Sequence, residues 1–307
     1  MKSIDVIGLG ALLVDRVASV EYFPSVDGET FVEGLEVRAG GSAANFAVAC
    51  SRLGMKSGFI GVVGDDSEGR FLLEDLRKEN VDTSRVITTK THPTGQVYVA
   101  LDKEGRRMMF AYSGAANELS EEHINKDYIS SSKFLHIADL KSIEPLEAAA
   151  KVAQNVETRV SINPGELIAV QGFDKIKKLL SNTDVFVSSR GELKQIFGSE
   201  NIEFAVRKLL KSGPEVVVVT LGPEGCMITD SSLKVDRVSA FKSTVVDTTG
   251  AGDAFSAGLL TALVEGRSLV KAAEFANAVA AIKVSQLGAR SLPTRQEVED
   301  FLSKQRP

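Results

Sequence analysis

Val245-Val246-Asp247-Thr248-Thr249-Gly250-Ala251-Gly252-Asp253-Ala254-Phe255 sets two carboxylates, two hydroxyls and two glycines between an apolar strand end and a run of small helical residues, Ala254–Val264. Gly250 and Gly252 have no side chains, so their N–H groups can approach an anion closely, and a helix start adds partial positive charge at the same point. Two readings compete. Either the string caps a helix, with Asp253 as N-cap, or it is an anion hole aimed at a carboxylate. Phosphoryl transfer to a hydroxyl needs the second arrangement: amides on the phosphoryl oxygens and Asp253 accepting the hydroxyl proton. Asp247-Thr248, directly before the turn, favours it, because a plain cap has no use for that density of polar groups.

Upstream, short β-branched runs alternate with amphipathic segments. Residues Ile4–Ile7, Ser57–Val63, Phe134–Ile137, Arg159–Ile162, Asp184–Val187 and Val216–Thr220 read as buried strands. Ala43–Leu53, Gly69–Glu79, Glu144–Gln154, Gly191–Phe197 and Glu203–Lys211 read as helices, followed by Ala254–Val264, Leu269–Leu287 and Thr294–Lys304. This alternation predicts an α/β fold, a doubly wound, mostly parallel sheet flanked by helices. Two half-polar, alternating stretches, about residues 12–39 and 94–116, break the rhythm. They predict antiparallel ribbons with one dry face, which meet as a small β-sheet lid over one end of a single domain spanning 1–307.

The 307 residues carry 36 Lys+Arg against 41 Asp+Glu, and no basic run is interleaved with aromatics, which argues against a nucleic-acid partner. Cys50 and Cys226 are too few and too far apart for a disulfide framework or a zinc site and read as buried thiols. Asp5 interrupts the N-terminal apolar run, and no stretch reaches the roughly 18 apolar residues of a membrane span. The expectation is a cytoplasmic protein without membrane partners. There is no Gly-x-x-x-x-Gly-Lys-Ser/Thr, and Gly8-Leu9-Gly10-Ala11-Leu12-Leu13 lacks the third glycine of a dinucleotide fingerprint, which counts against a dehydrogenase.

Asp247-Thr248-Thr249-Gly250-Ala251-Gly252-Asp253 resembles the C-terminal motif of the ribokinase-like, or PfkB, family of carbohydrate kinases. Ala39-Gly40-Gly41-Ser42-Ala43-Ala44-Asn45, with Leu53-Gly54 and Gly61-Val62-Val63-Gly64-Asp65-Asp66, is similar to the family's N-terminal motif, in the expected order. The resemblance spans nearly the whole chain. It implies an ATP-dependent kinase acting on a small sugar, with Asp253 as catalytic base and Gly250, Ala251 and Gly252 as anion-hole amides. It also implies sugar contacts from Asp15, Gly40, Gly41 and Asn45, and from Asp139 after the strand Phe134–Ile137. Asn163-Pro164-Gly165 reads either as crevice lining or as an ordinary turn.

For the nucleotide, the resemblance implies Thr220, Gly222 and Gly225 along ATP and Asn277 near the adenine, although a polar residue among alanines equally suits a helix–helix hydrogen bond. Asp247 and Thr249, with the Ser285–Ser291 loop, resemble the family's K+ site. The family's Asn-x-x-Glu, which organises Mg2+ through water, is Ser189-Arg190-Gly191-Glu192 here: Glu192 is kept, Ser189 replaces Asn, and Arg190 reads as a solvated surface residue.

Ser42-Ala43-Ala44-Asn45 lacks the lysine of typical ribokinases and is similar to the turns of fructokinases, 2-keto-3-deoxygluconate kinases and nucleoside kinases. A nucleoside would need aromatic walls, for which Phe23, Phe31, Tyr98, Phe110 and Tyr112 are candidates; they suit lid core or a dimer interface as well. Three expectations follow: a sugar acceptor, with a nucleoside second and a non-catalytic sugar- or nucleotide-binding protein third; a lid that closes over the sugar; and a homodimer through the lid.

Overall fold

The computed structural model describes residues 2–305. Its strands are β1 Ile4–Leu9, β2 Leu13–Val20, β3 Val32–Gly40, β4 Ser57–Gly64, β5 Asp82–Thr89, β6 Gly95–Leu101, β7 Arg107–Tyr112, β8 Ser132–Ala138, β9 Arg159–Asn163, β10 Val185–Ser189, β11 Val216–Thr220, β12 Cys226–Asp230 and β13 Val235–Val238. Its α-helices are α1 Ser42–Arg52, α2 Ser67–Lys78, α3 Lys126–Ser130, α4 Glu144–Asn155, α5 Gly165–Ala169, α6 Phe173–Leu180, α7 Arg190–Phe197, α8 Ile202–Leu210, α9 Ala251–Val264, α10 Leu269–Val284 and α11 Arg295–Gln305.

Nine strands form one sheet in the order β13-β12-β11-β10-β9-β8-β1-β4-β5, parallel except where β12 pairs with β11 and β13. Side chains alternate across a strand, so Val216 and Val218 enter one core layer with α9 and α10, and Val217 and Val219 the other with α4, α6 and α8. Burial on both faces is why these strands read as continuous apolar runs. Strand order reverses between β1 and β8, and the crevice beyond the carboxyl ends of the strands at such a point is where α/β sheets hold ligands.

The two rhythm-breaking stretches pair as a second sheet, β3-β2-β6-β7. Each stretch is an antiparallel ribbon, and the two join through parallel pairing of β2 with β6. The expected dry face is absent from the single chain: all six residues of β7 and the first six of β3 are exposed. The polar edge strand β5 and the short β12 and β13 extend the main sheet beyond the strands expected from sequence. Helix α10 stops at Val284 rather than Leu287, because Ser285 and Gln286 turn their N–H groups back to Ile282 O and Lys283 O.

Candidate active site

Helix α9 begins at Ala251, three residues earlier than its apolar pattern, and Gly250 is its N-cap in the left-handed region (φ 77°). A Cβ there would also lie 2.8 Å from Ala289 O, so only glycine fits. Asp253 therefore sits in the first helical turn and is not the cap. Its side chain is buried, and Asn45 Nδ2 donates to Asp253 Oδ2 at 2.8 Å. Burial pushes the Asp253 carboxyl up to about 6, against hydrogen bonds from Asn45 and Ser42 and the nearby Arg290 charge, which lower it.

Of the three expected anion-hole amides, Ala251 N–H turns back on Thr248 O at 3.1 Å. This 3₁₀-type bond tightens the helix entry and engages that donor. The N–H groups of Gly250, Gly252 and Asp253 have no backbone acceptor among the described residues. Asn163 borders the same turn, since a Cβ on Gly252 would lie 3.5 Å from Asn163 Nδ2.

Facing this turn is the segment from β3 into α1. Gly40 lets the Asp15 carboxylate come close, since a Cβ on it would sit 2.5 Å from Asp15 Oδ2, and Gly41 takes φ 98° to start α1. Burial raises Asp15 to about 6, opposed by Arg290 and Arg38. Arg290, which the sequence reading missed, bridges the halves: Nε donates to Asn45 Oδ1 at 2.6 Å and Nη1 to Asp75 Oδ2 at 2.5 Å. Asp139, just beyond β8, accepts from Leu167 N at 3.2 Å. Burial lifts it to about 7, with Asp253, Glu192 and Glu166 adding to the rise.

Ser189 and Glu192 engage each other in a capping box at the start of α7: Glu192 N donates to Ser189 Oγ at 3.1 Å and Ser189 N to Glu192 Oε2 at 2.7 Å. Thr220 ends β11 beside them, donating to Ser188 O at 3.4 Å, and Gly222 and Gly225 flank the short turn that follows. Arg190 is exposed and ion-pairs with Glu224 on that turn at 2.9 Å. Asn277 spends its amide on Val238 O and Ser239 O, both at 3.1 Å, tethering α10 to the end of β13 rather than to another helix.

The residues expected to hold K+ are already engaged. Asp247 Oδ1 accepts from Thr249 N at 2.9 Å and Thr249 Oγ1 at 2.6 Å, Oδ2 accepts from Gly288 N at 2.8 Å, and Lys283 Nζ donates to Asp247 O at 2.9 Å. Burial raises the Asp247 carboxyl, but these donors and the Lys283 charge outweigh it and hold it below the ordinary value. This donor set does not fit a metal cation as well. Arg107 at the start of β7 donates to Thr249 Oγ1, linking the small sheet to the turn. Among the described residues, no group of three or more His, Cys, Asp or Glu side chains stands ready to ligate a metal directly, and no helix is long and apolar enough to cross a membrane.

The pfkB family of carbohydrate kinases matches residues 1–295. A ribokinase of Haemophilus influenzae is 33% identical over 303 residues, covering 96% of this chain and 97% of that protein. Among solved structures, Arabidopsis thaliana ribokinase complexed with ribose and ATP superposes with a TM-score of 0.85 at 27% identity, covering 97% of this chain and 98% of that one. The nucleoside kinase of Methanocaldococcus jannaschii, a member of the ribokinase family, gives 0.86 at 25% identity, covering 99% of each chain. The match runs almost from end to end, with the 247–253 turn at the head of α9, and the chain belongs to the pfkB family of carbohydrate kinases.

Proposed function

We propose that this sugar kinase moves the γ-phosphoryl group of ATP to a hydroxyl of a small sugar of the ribose, fructose or keto-deoxy sugar acid class. The observation that carries this reading is the buried Asp253 carboxyl beside the outward amides of the α9 turn. Asp253 accepts the hydroxyl proton while the hydroxyl oxygen attacks the γ-phosphorus, the bond to the bridging oxygen breaks, and ADP leaves. A carboxyl titrating near 6 is ionised at neutral pH and is a stronger base than an exposed aspartate. The Gly250, Gly252 and Asp253 amides stabilise charge on the migrating group, each such donor being worth roughly 10²-fold in rate.

Asp15 and Asp139 meet the sugar hydroxyls, with Gly40 and Gly41 allowing close approach, and Asn45 divides its amide between Asp253 and the acceptor. Ser189, Thr220, Gly222 and Gly225 border the nucleotide, with Asn277 behind them. Mg2+ fits as an ion brought with the phosphates, with Glu192 a hard oxygen donor acting through water. It would neutralise phosphate charge.

Ladder register favours a sugar over a nucleoside. Asp15 pairs with Arg38 and Val97, and this face continues to Arg107, which reaches the turn. Tyr98, Phe110 and Tyr112 fall on the alternate positions with Leu35 and Val37, pointing away from Asp15. Those rings are exposed and apolar, which suits a homodimer through this sheet; sedimentation as a monomer at micromolar concentration would remove that proposal. A cytoplasmic setting accords with an ATP-dependent role. The deciding experiment is an ADP-release screen across pentoses, hexoses, keto-deoxy acids and nucleosides. Turnover confined to nucleosides would overturn the sugar reading.

A further inference from the structure

Lys283 is among the largest fully buried side chains of the protein, with 0% exposure. Burying an ammonium is expensive unless its protons are matched by acceptors. Among the described residues Lys283 makes no ion pair within salt-bridge distance; its acceptors are main-chain carbonyls from two separate segments. Nζ donates to Asp247 O at 2.9 Å, ahead of the 250–252 turn, and to Gln286 O at 3.4 Å, just after α10. The same segments are zipped on either side of it, with Val246 N and Asp247 N on Val284 O at 2.7 and 3.1 Å and Gly288 N on Asp247 Oδ2 at 2.8 Å. The lysine occupies the last turn of α10, where the helix dipole is negative; burial pushes its ammonium below the ordinary lysine value, with Arg107 and Arg38 adding to the fall and the Asp247 and Asp253 carboxylates opposing it. A desolvated ammonium met by carbonyl oxygens of two segments has the surroundings that a bound monovalent cation would need.

We propose that the Lys283 ammonium is the resident cation of the 247–253 turn, a positioning residue that takes the place of K+ and frees the enzyme from a monovalent-cation requirement. The charge and the cross-loop bonds come from the chain itself, so the turn is held before any ligand arrives. The link to turnover rests on the reading of the α9 turn as the anion hole.

The test has three arms. Wild-type turnover is measured in tetramethylammonium buffer with and without saturating K+, and a change of less than about twofold is expected. Wild-type crystals are soaked with Tl+, a K+ surrogate read by anomalous scattering, and no peak is expected at Asp247 O and Gln286 O. Lys283→Met is expected to lose about tenfold or more in kcat in tetramethylammonium with acceptor KM little changed, to recover with K+ in both kcat and Tm, and to show the Tl+ peak. A wild type that needs K+, or Tl+ on those carbonyls in the wild type, overturns the proposal, and both readings stand even where the variant fails to fold. An unchanged kcat in folded Lys283→Met, with no Tl+ in the wild type, overturns the link to turnover and places the fault in the anion-hole reading rather than in the identity of the cation.

Discussion

Asn45 Nδ2 donates to Asp253 Oδ2 at 2.8 Å, joining two residues 208 positions apart, while Asn45 Oδ1 accepts from Arg290 Nε at 2.6 Å. Because a carboxylate accepts and a guanidinium only donates, the amide has one workable orientation. The chain Arg290–Asn45–Asp253 thus fixes the rotamer of the proposed base from the opposite wall of the crevice. A hydrogen bond to the ionised carboxylate lowers its pKa, so its loss raises it. In Asn45→Leu, the acidic limb of the kcat/KM–pH profile, expected near 6 in the wild type, should move up by on the order of one pH unit. A limb that stays or moves down would remove Asn45 from control of Asp253.

Asp253→Asn retains the shape of the side chain but cannot accept the proton. Acceptor and ATP binding by calorimetry should stay near wild type while kcat falls by at least ~10²-fold. Turnover close to wild type would show that another group takes the proton.

Asp139 carries a stability cost that depends on pH. Its folded pKa of about 7 lies above the unfolded value of roughly 3.9, so the native state holds the proton more tightly. The resulting stability is complete below about pH 4 and is lost as pH rises through about 7. Asp139→Asn, neutral at every pH, should therefore raise Tm by several degrees at pH 8 and leave it unchanged at pH 4. Equal melting of the two proteins at pH 8 would contradict the burial of this carboxyl.

The Arg107–Thr249 contact ties the small sheet directly to the turn. If that sheet is the lid that keeps water from the γ-phosphate, Arg107→Ala should raise ATP hydrolysis relative to transfer. Comparing ADP release with phosphorylated sugar formed measures this partition, and an unchanged ratio would argue against a closing role.

Local strings made much of the architecture legible. The apolar runs of β1, β4 and β8 to β11 marked the strands of the main sheet, and the Asp247–Asp253 string marked the head of α9. Edge strand β5, Asp-Thr-Ser-Arg-Val-Ile-Thr-Thr, was not legible because one open side relaxes the demand for apolar residues. The Gly250 cap displaced the start of α9, since a left-handed glycine hides the boundary from an apolar count. The long-range supports of the site were also hidden. Nothing near Arg290 announces Asn45, and Arg107 meets Thr249 across 142 positions of chain. Lys283 did leave a signal: with Ala276 and Val279 it lies on one buried stripe of α10, where a charge needs an explanation.

The most direct measurement is a crystal structure with the preferred sugar, ADP, Mg2+ and aluminium fluoride standing for the transferring phosphoryl group. The fluorides should accept from the N–H groups of Gly250, Gly252 and Asp253, and one acceptor hydroxyl should lie about 2.6–3.2 Å from an Asp253 carboxyl oxygen. Fluoride bound away from the head of α9, or Asp253 turned from the sugar, would contradict the account.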